Sequence, residues 1–314
     1  MKSIKQLLLA SAIMLSFGTA QAGAIIIAGT DADDHGNLVN GLNVNGWKFL
    51  QQGIANIGNA TTNGQKNAVC IGCNGSLASS AFSSAFNLSG LASWTSTQLT
   101  STTDITNFFN GTGTVNRNNA GMIYMPTVES NVSGGITDTQ LQIVNLNGAV
   151  INSYLSAGGG LFAQEQHYSS IGYGWLTSLL PTLQVFGDKN GGVSNPSTLQ
   201  LTAQGQTQFP TLTNTDISNG TPWHAYFKGG FGALQTLVVG NGDNSGGFDD
   251  AVVLGGGFAG GGGVIVCGQP GQLACPPIGV PEPESLPLML VALGGLALAR
   301  FRKARKTQAI ELIA

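Results

Sequence analysis

Charged side chains are scarce in this sequence, at 9% of 314 residues. Between residues 23 and 280 the basic ones are Lys48, Lys66, Arg117, Lys189 and Lys228, against twelve acidic residues, a net charge of −7. With no cluster of Lys and Arg to meet phosphates, this region excludes a nucleic-acid partner and is compatible with cations. Low charge does not make the chain disordered, because apolar residues remain plentiful at 42% and net charge is modest. A repeat of fixed period is also missing, which tells against a solenoid. The chain has three histidines and four cysteines. The Cys70-Ile-Gly-Cys73 pair has no second CxxC or HxxxH to complete a zinc site.

The basic residues that remain sit at the two ends. Lys2 and Lys5 precede an apolar run over 7–17, and Ala20-Gln21-Ala22 fits the small-x-small rule for signal-peptide cleavage. Residues 1–22 are therefore expected to direct export through the Sec translocon, with signal peptidase cutting after Ala22. At the other end, Val280-Pro281-Glu282-Pro283-Glu284 precedes an uncharged stretch over 285–299, then Arg300, Arg302, Lys303, Arg305 and Lys306. A helix over that stretch covers only ~22 Å of a ~30 Å hydrocarbon core. It suits a transient stop-transfer segment held at the cytoplasmic face by its positive charges.

The order Pro-Glu-Pro, apolar segment, Arg-rich end resembles the PEP-CTERM sorting signal of Gram-negative bacteria. The resemblance covers 281–306, with 307–314 as a short extra tail. It implies processing near Pro281, Glu282 and Pro283 by an exosortase. It also implies transient anchoring in the inner membrane, delivery to the cell envelope or extracellular matrix, and a link to exopolysaccharide and biofilm.

Between the signals, 23–270 reads as one exported domain and 271–280 as a linker. Ala24-Ile25-Ile26-Ile27-Ala28 is a buried strand. The polar loop 30–36 follows, then apolar residues at helical spacing over 41–57, then a second strand at 67–72. A helix near 103–109, a strand at 121–126 and a helix from Thr137 with core face Leu141, Val144, Val150, Tyr154 and Leu155 continue the pattern. A strand at 161–163 completes it. Later strands are expected at 198–202, 237–239, 251–254 and 264–267, with the glycine run 255–263 as a loop or hairpin. This alternation predicts an α/β fold, mostly parallel, with helices on both faces and loop-rich insertions.

Ser156-Ala-Gly-Gly-Gly-Leu-Phe-Ala163 followed by Gln164-Glu165-Gln166-His167, with Leu201 to Gly205 and Thr221 to Phe227, is similar to class I glutamine-amidotransferase-like domains, the ThuA-like group included. That resemblance implies a flavodoxin-like sheet. The turn that should carry the nucleophile holds neither Cys nor Ser, and Ser169-Ser170 lacks the Gly-x-Ser-x-Gly setting.

Asp31, Asp33, Asp34 and His35 fall in the loop after the first strand, the carboxyl edge where open α/β sheets bind ligands. Glu165, His167 and His224 approach the same edge from other strands. Asp31-x-Asp33-x-His35-Gly36 opens like a calcium loop, but its twelfth position is Leu42, so it is no EF-hand. Calcium or another divalent metal is the cofactor class these residues suggest; the alternative is a solvated loop with a helix N-cap. The run 243–250 reads as a calcium loop or a plain polar turn. Trp47, Trp94, Trp175 and Trp223 suit sugar stacking or the core. In an oxidising compartment Cys267 and Cys275 pair across a short loop, with Cys70 joined to Cys73, or the two pairs cross over. The function expected is a non-catalytic surface or matrix protein that binds polysaccharide or another ligand. The alternative is a metal-assisted hydrolase of glycans or small amides.

Overall fold

Isoleucines 25–27 form the centre of β1 (Gly23–Ala28), buried on both sides, as a β-branched run without polar alternation dictates. A computed structural model describes residues 23–258, apart from 132–133, 188–198, 220–222 and 244. The two end segments read above as export and sorting signals, the strand expected at 264–267, and Cys267 and Cys275 lie outside the described residues.

After β1 the chain makes a small hairpin, β2 (Gly36–Val39) and β3 (Leu42–Asn45), turning at Asn40-Gly41 with both residues at positive φ. Asn-Gly is the commonest sequence for that turn. α1 (Gly46–Ala60) follows and buries Trp47, Phe49, Leu50, Ile54 and Ile57 along one stripe. β4 (Asn67–Ile71), α2 (Ser76–Leu88), β5 (Thr95–Leu99), α3 (Thr102–Asn110) and β6 (Met122–Met125) come next. α4 (Asp138–Leu146) begins with a capping box in which Thr137 and Gln140 satisfy each other's backbone N–H groups. A break at Asn147 starts α5 (Gly148–Ser156), and β7 (Gly160–Ala163) completes the parallel part. The order β5-β4-β6-β7-β1 is parallel throughout.

From β1 onward the sheet turns antiparallel. β12 (Asp250–Phe258) pairs with β1, and β10 (Ala225–Gly229) joins β12 where β1 ends, carrying β8 (Leu183–Gly187) on its far side. The other edge of β12 takes β11 (Gln235–Gly240), which holds β9 (Leu199–Leu201). Short helices α6 (Ala203–Gln208) and α7 (Asn214–Ser218) link β9 to this region.

The fold is α/β, with a large mixed sheet compatible with a flavodoxin-like arrangement. Each face of the sheet has its own core. On one, α1 and α2 cover Ile26, Cys70, Tyr124 and Phe162, with Phe49 edge-on to Phe162 and Phe209 at 5.5 and 5.3 Å. On the other, α3, α4 and α5 cover Ile25, Ile27, Val69, Ile123 and Leu161. Three expectations need correcting. The single helix from Thr137 is two, so Ile151 takes the buried place assigned to Val150. The glycine run begins inside β12, because Gly255–Gly257 pair with β1. The helical spacing from Gly41 starts only at Gly46, the hairpin having used the first residues. Cys70 and Cys73 form a disulfide, Cα atoms 6.0 Å apart, with Gly72 between them at φ 83°, a backbone that favours glycine.

Candidate functional site

The parallel strands all present their carboxyl ends at one edge. β1 delivers the loop 30–35 there, β6 delivers Thr127 and Asn131, and β7 delivers Gln164, Glu165 and Gln166. His224 arrives by a different route. Gly29 closes β1 with its N–H on Val252 O, and its carbonyl accepts the N–H groups of His224 and Ala225 at 2.9 and 3.2 Å. A side chain on Gly29 would put a Cβ 1.9 Å from Ala225 O, so only glycine lets the two segments meet. The loop itself is pinned by the Trp47 indole N–H on Asp33 O at 2.9 Å and by Gly46 N on His35 O at 2.9 Å.

Asp31 is the hub. It is wholly buried, and its Oδ2 lies 2.7 Å from His224 Nε2, 3.2 Å from His35 Nε2 and 2.8 Å from Asn131 Nδ2. Its other oxygen, Oδ1, has no hydrogen-bond partner among the described residues. His35 Nε2 is also 3.3 Å from Asp34 Oδ1. The ligand atoms of Asp31, Asp34 and His35 lie within 4.8 Å of one another, close enough to hold one ion. Beyond His224, the Tyr168 hydroxyl sits 3.0 Å from Nδ1, with the half-exposed phenol ring tilted over the imidazole at 4.7 Å.

Asp33 points elsewhere. Thr127 donates to its two oxygens from Oγ1 at 2.5 Å and from N at 3.2 Å, which ties the β1 loop to the end of β6. Glu165 is fully buried. Its Oε1 accepts from the backbone N–H groups of His167 and Tyr168, while Oε2 has no partner among the described residues. Gln164 accepts from Thr30 Oγ1 at 2.9 Å and Gln166 from the Trp175 indole at 2.9 Å. The His167 side chain turns away toward Gly187 on β8 and is exposed. Ser169 gives its hydroxyl to Asp138 at 2.7 Å. Trp47, Trp175 and Trp223 are buried.

Burial alone would raise the Asp31 carboxyl, yet hydrogen bonds from His224 and His35 hold it well below the usual carboxylate range. Burial likewise depresses both imidazoles, but the bond to Asp31 outweighs it and raises each. Asp34 is pushed to about 7 by burial and by the neighbouring Asp31 charge. Asp33 rises to about 6, burial again dominating over the Thr127 hydrogen bond. Burial takes Glu165 up to about 8, with His224 pulling the other way.

No protein-family model, curated protein or solved structure matches this chain. Its chemistry is therefore read from the geometry.

The second acidic group, Asp243, Asp249 and Asp250, also lies close enough to hold one ion. There, however, Lys228 already bridges Asp243 and Asp250 at 2.8 and 3.0 Å. Among the described residues no helix is long and apolar enough to cross a membrane. The sequence motifs foreshadowed Asp31, Asp34, His35, Glu165 and His224. Thr127, Asn131 and Tyr168 were missed; only the position of Thr127 just past the proline that ends β6 hinted at its place.

Proposed function

We propose that the chain is an exported cell-envelope protein that binds its ligand through a divalent cation at the carboxyl edge of the sheet. The observation that carries this is Asp31, a wholly buried carboxylate with one oxygen crowded by His224, His35 and Asn131 and the other left bare. Leaving a buried carboxylate oxygen without a partner costs several kcal/mol in general, at roughly 1–3 kcal/mol for a neutral group and more for a charged one. A cation removes that cost. Export rests on residues 1–22, and sorting by an exosortase rests on Pro281-Glu282-Pro283 with the apolar and basic segments behind it. Surface polysaccharide is the ligand that this address favours, and the role read here is binding; catalysis by a side-chain nucleophile has no support, since the turn after β7 carries Gln164, Glu165 and Gln166 where that chemistry would need a thiol or hydroxyl.

The test is retention on the matrix of the native host. Washing with EDTA is expected to release the wild-type protein, and the Asp31→Ala variant is expected in the medium from the start. Retention indifferent to both chelator and substitution contradicts this reading.

A further inference from the structure

We propose that the cation is a borderline transition-metal ion of the zinc class, held by His35, His224, Asp31 and Asp34, and not calcium. This rests on the cation-binding reading above and specifies it.

The donor set separates the two kinds of ion. Calcium and magnesium are hard cations that take oxygen shells, whereas imidazole nitrogen suits zinc and its first-row neighbours. Here two imidazole Nε2 atoms, from loops 189 residues apart in sequence, point at one carboxylate oxygen, at 3.2 and 2.7 Å. Bonds of ~2.0–2.2 Å place ligand atoms within about 4 Å of each other across a tetrahedral ion. The donors of Asp31, Asp34 and His35 already lie within 4.8 Å of one another, with His35 Nε2 3.2 and 3.3 Å from the two carboxylates, whereas His224 Nε2 stands outside that trio, 2.7 Å from Asp31 Oδ2, and has to move toward the ion to complete the set.

Proton bookkeeping supports the same assignment. For both imidazoles to bond Asp31 Oδ2 directly, each Nε2 must carry a hydrogen, so two N–H groups and the Asn131 amide share one oxygen while Oδ1 has none. A divalent ion uses the nitrogen lone pairs instead, and it turns both Asp31 oxygens into useful acceptors. His224 is already arranged for that role. The Tyr168 hydroxyl at its Nδ1 accepts a hydrogen bond in the tautomer that leaves Nε2 free, which is the outer contact metal-bound histidines commonly make. Asp33 is left out of the ligand set because Thr127 occupies both of its oxygens.

The protein purified from its own host, stripped with chelator, can be titrated with Zn²⁺, with Co²⁺ as a spectroscopic reporter and with Ca²⁺ as the contrast. The expected result is one Zn²⁺ per chain, bound at least about 100-fold more tightly than Ca²⁺, and visible Co²⁺ bands that Zn²⁺ abolishes. His224→Ala should weaken Zn²⁺ by at least about tenfold and change the Co²⁺ spectrum. Tyr168→Phe, at a half-exposed position that does not threaten folding, should weaken Zn²⁺ by up to about tenfold with unchanged Ca²⁺ behaviour. Ca²⁺ binding as tightly as Zn²⁺ and indifferent to His224→Ala overturns the zinc-class assignment while cation binding stands. If neither ion binds, both readings fall.

Discussion

At the scale of single residues, Glu165 gives the sharpest prediction. Its folded pKa rises from 4.5 to about 8 because burial strips the carboxylate of water, outweighing the nearby His224 charge and the backbone N–H of His167 that pull the other way. A folded state that holds the proton more tightly than the unfolded chain loses stability as pH rises between the two values. Measured in chelator, stability should thus fall from about pH 4.5 to about pH 8 and then level off. Glu165→Gln keeps the shape without the charge and should remove Glu165's share of that slope, leaving the part due to Asp33, Asp34 and the two imidazoles, and should stand on the order of 3 kcal/mol above wild type at pH 8 and near it at pH 5. Parallel denaturation curves across the range would contradict the burial argument. The acidic residues of the loop 31–35 were legible in the sequence because a polar tetrad after a buried strand marks the carboxyl edge. The division of labour within it was not. Only the sheet order brings Thr127 to Asp33 and His224 to Asp31, and no local pattern encodes contacts between residues 94 and 193 positions apart.

At the scale of elements, the junction of β1 and β10 positions the site. Gly29 lets the chain leave β1 while His224 and Ala225 dock on its carbonyl. A Cβ there would meet backbone, which cannot move aside as a flexible side chain can. Gly29→Ala should therefore cost roughly 3 kcal/mol or more by overpacking and should weaken metal binding along with stability. An alanine variant as stable as wild type would show that the junction is looser than described. β1, β4, β6 and β7 were readable as short apolar runs, and the Thr137 capping box as a helix start. α2 and β5 were hidden in a Ser-, Thr- and Asn-rich stretch, whose helix shows a buried stripe of Ala78, Ala81, Phe82, Ala85 and Phe86 only once it is wound. β8 and β10 escaped because antiparallel strands at the end of a sheet carry mixed patterns: Phe186 stacks on Tyr226 across the pair yet stays exposed, while Tyr226 is buried.

At the scale of the molecule, two apolar cores clamp one mixed sheet and leave its carboxyl edge to carry the charge. The α/β class with helices on both faces followed from the alternation of strand and helix runs. The antiparallel half did not, because pairing direction depends on which strands become neighbours. Net charge over residues 23–280 is negative, and among the described residues three of the buried acids, Asp31, Asp33 and Glu165, collect at the carboxyl edge with the partly buried Asp34, while buried Asp250 lies apart beside Lys228. Such a concentration is stable only with protons or a cation among the carboxylates. Intact mass together with elemental analysis, on protein isolated from its own host without chelator, tests this account most directly. The account predicts a chain running from near Gly23 to near Pro281 with one equivalent of a divalent metal that Asp31→Asn lacks. A chain retaining both end segments and carrying no metal would contradict it.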